Sequence, residues 1–188
     1  MDKVLLIIFS GPSGVGKGTV REEFINDKEL NLMYSISMTT RKARAGEVDK
    51  EDYFFVSQEE FDKAVENGEL LEHATFVGNS YGTPKAYVEK MRNQGYNVIL
   101  EIEVEGAKQI MKNVDECLSI FLVPPSLHEL ERRIRCRQSE TEEVIQKRME
   151  KARNELEVVA DYQYAVVNTT PKEAARRIKN IIKKTMAQ

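Results

Sequence analysis

The chain has 188 residues, 41% hydrophobic and 31% charged, a globular balance with enough length for one core and none of the composition of a disordered or membrane protein. Its net charge of -3, from 28 basic and 31 acidic residues, argues against a general nucleic-acid coat, so an anion site has to come from local clusters such as Arg41–Arg44 and Arg132–Arg137. Cys117 and Cys136 lack metal-ligand spacing, which argues against a disulfide framework or a zinc site and makes a reducing compartment the default.

The first apolar run, Val4 to Phe9, is too short to span a bilayer and leads straight into a glycine-rich turn rather than a cleavage site. A cytoplasmic protein with no membrane partner is expected. Similar strand-like runs recur at Tyr96 to Ile102, Cys117 to Val123 and Tyr164 to Val167, each followed by a helical pattern, and this alternation predicts an α/β fold with a parallel sheet. Ser57 with Glu60, Ser126 with Glu129, and Thr170 with Pro171 and Glu173 are helix-start signals. Two stretches depart from the alternation. One runs from about Ser35 to Pro84, with a short strand at Tyr53 to Val56 and a helix near Gln58 to Glu66. The other, about Arg137 to Arg148, sets the acidic run Glu140, Glu142 and Glu143 between arginines and reads as a mobile helical lid. With no repeat or linker composition, both are insertions in a single domain.

Gly11-Pro12-Ser13-Gly14-Val15-Gly16-Lys17 lies between the first strand and a helical segment, the setting that a G-x-x-x-x-G-K phosphate loop requires. Glycines there allow successive N–H groups to face phosphate oxygens, the following helix adds its positive end, and Lys17 supplies a point charge to the β and γ phosphates. Gly18 stands where the stricter pattern has a magnesium-binding Ser or Thr, with Thr19 one residue later. The ion is then left to Thr19, to waters, or to Glu101 and Glu103 at the carboxyl end of a predicted strand. A solvated strand end would give the same two carboxylates.

Ser37-Met38-Thr39-Thr40-Arg41-Lys42-Ala43-Arg44-Ala45-Gly46-Glu47 places two arginine forks in a hydroxyl-rich stretch, a chemistry suited to a phosphate dianion, although a basic surface loop carries the same charge. Glu72 sits in the apolar run Leu70-Leu71-Glu72-His73-Ala74, either buried with a partner or on the exposed face of a strand.

These motifs together resemble the guanylate kinase family, in its bacterial form. The resemblance is carried by the phosphate loop through Thr19, by Thr39-Thr40-Arg41-x-x-Arg44-x-Gly46-Glu47, by Asp52-Tyr53, by Gly78-Asn79-Ser80-Tyr81-Gly82 and by Glu101-Ile102-Glu103, and it extends from Val4 to about Lys183. Pro124-Pro125-Ser126, Glu140-Thr141-Glu142-Glu143 and Val166-Val167-Asn168 fall in its last core elements and lid. The resemblance implies a P-loop nucleoside monophosphate kinase fold with core 1–34, 85–136 and 149–188, a GMP-binding insertion at 35–84 and a lid at 137–148. It implies Mg2+-dependent transfer of a phosphoryl group from ATP to GMP, with no nucleic-acid partner, and is compatible with a homodimer.

By similarity, Gly11, Pro12, Ser13, Gly14, Val15, Gly16, Lys17, Gly18, Thr19 and Asn168 would hold ATP. Arg41, Arg44, Tyr53 and Tyr81 would hold the GMP phosphate; Ser37, Glu72 and Thr83 would read guanine, with Gly82, Glu101 and Glu103 completing that side. Lys17, Arg41, Arg133, Arg137 and Arg148 would surround the transferring phosphoryl, and Thr19 and Glu103 would serve the metal, partly through water. A solvated helix face pairing with Glu129 and Glu140 would also explain the lid arginines. The chain departs from the family at Glu101 and Glu103, where Asp is frequent, at Glu105, where Gln is usual, and at Arg137-Gln138-Ser139-Glu140, where Arg-Gly-Thr-Glu is common. The competing readings are a non-catalytic guanylate-kinase-like module that binds a phosphopeptide, and a P-loop kinase for another small acceptor such as AMP or a phosphorylated sugar.

Overall fold

A computed structural model describes residues 4–76, 78–136 and 141–188. Strand β1 (Leu6–Ser10) is buried at every position, as a strand covered on both faces must be. It delivers the chain to α1 (Lys17–Glu22), after which β2 (Leu32–Tyr34), β3 (Met38–Thr39) and β4 (Phe54–Phe55) follow. Next come α2 (Gln58–Glu66), β5 (Leu70–Phe76), β6 (Asn79–Pro84) and α3 (Lys85–Asn93). The second half alternates regularly through β7 (Asn97–Glu101), α4 (Val104–Asn113), β8 (Leu118–Val123), α5 (Leu127–Arg135), α6 (Glu142–Leu156), β9 (Tyr164–Val167) and α7 (Pro171–Met186).

Five strands form one parallel sheet in the order β2-β7-β1-β8-β9. Side chains alternate across it with period two. Ile7 and Phe9 face a core shared with α1, α5, α6 and α7, while Leu6 and Ile8 face a second core shared with α3 and α4. The four strand-like runs are all present: β9 has the expected bounds, and the other three differ from theirs by one or two residues at an end. The edge strand β2 was not anticipated: its three residues are only half-buried, so it lacks the apolar run that marks the inner strands.

The second sheet, β4-β3-β6-β5, is mixed, with β3 and β4 parallel and the other pairs antiparallel. It carries its own small core of Phe61, Ala64 and Leu70 against α2. The Ser57 capping box of α2 is complete, and Ser126 and Thr170 each accept a hydrogen bond from the third residue of their helices. Helix α6 runs through positions 148 and 149, because Ile145, Met149 and Ala152 form one continuous face packed into the core. Residues 137–140, and with them the expected role of Arg137, lie outside the described residues. Among the described residues, no helix is long and apolar enough to cross a membrane.

Asn97, at the start of β7, ties together the segments that lead into β1 and β2. Its side chain accepts from Leu5 N at 2.7 Å and donates to Leu30 O at 2.7 Å, fully inside the protein. Asn97→Ala should therefore lower stability by about 2 kcal/mol, since it strands a buried donor and a buried acceptor. Urea denaturation with an unchanged m-value would register this as a shift in midpoint.

Candidate active site

The segment between β1 and α1 must curl tightly around an anion-sized space. Gly14 and Gly16 adopt φ of 84° and 96°, a region that residues with a Cβ seldom enter. Gly14 also has no room for a side chain, because a Cβ would stand 2.8 Å from Ile134 of α5. Lys17 folds back over the loop, its Nζ donating to Gly11 O at 2.7 Å and Pro12 O at 3.5 Å. Burial lowers the pKa of that ammonium, and Glu101, Glu155 and Glu103 act in the opposite direction.

The rest of the loop is fixed from three sides. Arg133 of α5 donates to Val15 O at 3.1 Å and to Asn168 O at 3.1 Å, while its Nε binds Glu129. Asn168, at the end of β9, donates to Val15 O at 2.8 Å, and its own Oδ1 is buried without a partner. From α6, Arg148 reaches Ser13 Oγ at 3.2 Å and Glu155 accepts from Ser13 N at 3.1 Å. Thus Lys17, Arg133, Arg148 and Asn168 gather around the loop. Arg133 and Asn168 hold its outer backbone.

A cleft of about 980 Å³ opens between the two sheets. Ser37, Tyr53, Glu72 and Tyr81 line its wall on the second sheet, and Glu101 and Glu103 line it at the carboxyl end of β7. Thr83 stands behind this wall, donating from Oγ1 to Glu72 Oε1 at 2.6 Å. Gly82 lies against β5, where a Cβ would meet Leu70 at 2.7 Å and Glu72 O at 3.0 Å. Arg41 and Arg44 are not in the cleft lining. Arg41 forms a two-bond fork with Glu47 at 2.9 and 2.8 Å and sits 5.3 Å from the Tyr53 ring, so the pair presses on a residue that does line the cleft. Arg44 is exposed and gives only its backbone N–H to Glu47.

Glu72 is only 6% exposed. Burial raises its pKa, and the bond from Thr83 pulls the other way. Thr83 donates to one oxygen of this carboxylate, and the other can receive donors from the cleft.

Glu101 and Glu103 do not converge on a metal; no group of three or more potential ligands occurs among the described residues. Glu101 Oε2 binds Arg21 at 2.7 Å, while Oε1 faces the position of Gly18, 3.9 Å from where a Cβ would be. Glu103 binds Lys151 at 2.7 Å. The oxygens here would suit a hydrated Mg2+, with Glu101 Oε1 the nearest carboxylate, because magnesium retains waters and requires few protein oxygens. Glu103 gives one oxygen to Lys151 and is otherwise exposed, and Thr19 is exposed at the start of α1.

Sequence reasoning missed four residues. Arg21 pairs with Glu101 and lies 4.3 Å from the Tyr34 ring, whose hydroxyl is pushed up to about 12, mainly by burial. Lys151 and Glu155 join α6 to Glu103 and to the loop. The helical spacing of Arg148, Lys151 and Glu155 was a signal for the last two: they share a face beside the apolar stripe of α6.

A glycine loop after the first strand of a parallel sheet, a lysine over it and a cleft beside it define a P-loop kinase. A family profile described as guanylate kinase matches residues 3–185. The chain is 51% identical to guanylate kinase of Streptococcus thermophilus (strain CNRZ 1066), over 96% of this chain and 87% of that protein, and 51% identical to guanylate kinase of Listeria innocua serovar 6a, over 96% and 88%. A crystal structure of guanylate kinase from Anaplasma phagocytophilum superposes with a TM-score of 0.76 at 33% identity, covering 100% of this chain and 89% of that one. The chain belongs to the guanylate kinase family.

The environment of Glu72 makes it a destabilising residue near neutral pH. Its native pKa lies above its unfolded value, so the native state holds the proton more tightly and stability falls as pH rises through the native pKa. Glu72→Gln keeps the oxygen that accepts from Thr83 and should raise Tm at pH 7.5. The gain should shrink as pH is lowered to the ordinary carboxylate range, as followed by calorimetry at a series of pH values.

Proposed function

We propose that this chain catalyses transfer of the γ-phosphoryl group of ATP to GMP, giving ADP and GDP, in a cytoplasmic setting and as part of purine nucleotide supply. An oxygen of the GMP phosphate forms the new P–O bond as the bond to the ADP oxygen breaks. The acceptor phosphate is already largely ionised at neutral pH, so positioning and charge neutralisation suffice and no general base is required.

The observation that carries the reading is Glu72, held at 2.6 Å by Thr83 in the wall of the cleft. Guanine presents N1–H and an exocyclic amine as adjacent donors, which one carboxylate accepts as a pair; Ser37 and Thr83 are hydroxyls suited to the same base. Adenine lacks N1–H and would leave the carboxylate unpaired. Tyr53 and Tyr81, with ring centroids 6.3 Å apart, would hold the GMP phosphate. Arg41 and Arg44 would join them once their contacts with Glu47 are exchanged for phosphate. Lys17, the loop from Gly11 to Thr19 and Asn168 serve ATP, with Arg133, Arg137 and Arg148 as the cations around the transferring group. Mg2+ bound with ATP would supply charge neutralisation, with Glu101 and Thr19 as its protein neighbours and Glu103 acting through water. Residues 35–84 are the acceptor-binding insertion of this scheme and 137–148 its lid.

A coupled assay of ADP formation with ATP and Mg2+, comparing GMP, AMP, CMP and UMP, tests the proposal. Turnover should be confined to GMP. Glu72→Gln should lower kcat/KM for GMP by about 10²-fold or more, from the loss of paired charge-assisted hydrogen bonds. Protein that binds GMP yet turns over no nucleotide would instead be a binding module, and turnover with AMP would identify a different kinase. On the donor side, Glu155→Ala should raise the KM for ATP by about 10-fold while leaving that for GMP unchanged, because Ser13 N–H loses its acceptor.

A further inference from the structure

The third residue of α4 is Gly106, in the first turn of a helix, a structure in which glycine is unfavourable relative to alanine. Its surroundings explain the choice. A Cβ at Gly106 would stand 2.4 Å from Glu72 Oε2, 2.9 Å from Cδ and 3.2 Å from Cγ. All three atoms belong to one flexible side chain, so adding the methyl would move the Glu72 carboxylate and leave the backbone undisturbed.

One turn further along the same helix, Gln109 grips the residue that follows Glu72. Its Nε2 donates to His73 O at 2.8 Å and its Oε1 accepts from His73 N at 3.1 Å. β5 is the edge strand of its sheet, and its pairing with β6 shifts register between Leu70 and His73, so the ladder alone does not fix this part of the strand. The amide of Gln109 replaces the missing strand partner on the outer edge. α4 itself is immobilised by Val104, Ala107 and Ile110, all buried in the core.

We propose that Gly106 and Gln109 are positioning residues for guanine recognition. Gly106 clears the space that the Glu72 carboxylate occupies, and Gln109 fixes the backbone from which that carboxylate projects. The inference rests on the reading of Glu72 as the guanine-reading group.

The test compares Gly106→Ala, Gln109→Ala, Glu72→Gln and the Glu72→Gln/Gly106→Ala double variant by steady-state kinetics with ATP and GMP and by thermal melting. Gly106→Ala should raise the KM for GMP roughly 10-fold, the worth of one charge-assisted hydrogen bond, with the KM for ATP within about twofold of the parent and Tm equal or higher. Gln109→Ala should raise the KM for GMP in the same selective way, which keeps the proposal testable if Gly106→Ala folds poorly. In the Glu72→Gln background, Gly106→Ala should change the KM for GMP by less than about twofold, because the group it displaces no longer pairs with the base.

Three results would overturn the proposal. An unchanged KM for GMP in Gly106→Ala and Gln109→Ala, with Glu72→Gln still impaired, would remove the positioning role and leave the guanine reading standing. An equal effect of Gly106→Ala with and without Glu72 would mean that the methyl blocks the base directly. An unaltered KM for GMP in Glu72→Gln would remove both the guanine reading and the inference built on it.

Discussion

Burial of the Lys17 ammonium disfavours its charged form, yet the loop it covers is useful only if the charge is kept. Glu101, Glu155 and Glu103 oppose that burial penalty. None of the three is left as a bare negative charge. Arg21 pairs with Glu101, and Lys151 lies 2.7 Å from Glu103 and 3.6 Å from Glu155. The alternation of sign extends from α1 through the end of β7 to α6. Phosphates entering this network would take over the role of counter-charge for Lys17, and the lysine and arginine partners would limit repulsion between the incoming anion and the carboxylates. Partial burial strengthens the Arg21–Glu101 pair relative to a surface pair, whereas Lys151–Glu103 is open to solvent and screened.

The second half of the site obeys a different constraint. Glu72 pairs with no cation among the described residues; it is held by one hydroxyl, a glycine-sized gap and a strand pinned at its outer edge. Thr83 occupies only one oxygen of this carboxylate, and on the proposed reading a base with two adjacent donors would meet it. Specificity then comes from the cost of leaving a buried acceptor unpaired. On the proposed reading the two halves would be opposite designs: dense charge pairing for the triphosphate, and sparse pairing for the base, where the wrong ligand must be rejected.

What could be read from the sequence follows from the range of the interactions. The phosphate loop is local, seven residues from Gly11 to Lys17 between a buried strand and a helix, and its composition alone identifies it. The helix starts at Ser57, Ser126 and Thr170 are equally local. Glu72 stood out only as a carboxylate in an apolar run, and Thr83 had no local mark until the family resemblance singled it out, since nothing nearby in sequence announces the 2.6 Å contact between Thr83 and Glu72. Arg21 was invisible because its partner, Glu101, is distant in the chain, and the helical spacing that marks Glu155 does not reveal its equally distant partner, Ser13. β2 was missed for a reason of burial: an edge strand half open to solvent carries no continuous apolar run.

The two halves meet along one short stretch of chain. Glu101 ends β7 beside the phosphate loop, Glu103 begins α4 and bonds to α6, and Gly106 and Gln109 lie against β5. A shift of α4 relative to β1 would therefore be felt at the triphosphate and at the base together. In-line transfer between two bound nucleotides tolerates displacements of only about 1 Å before the rate drops steeply. The burial of Val104, Ala107 and Ile110 in the core shared with β1 and β7 answers that requirement by making this helix part of the rigid frame. Motion needed for substrates to enter must then come from elements with fewer buried contacts, and the second sheet, with a core of only Phe61, Ala64 and Leu70, is the part of the molecule that meets this description.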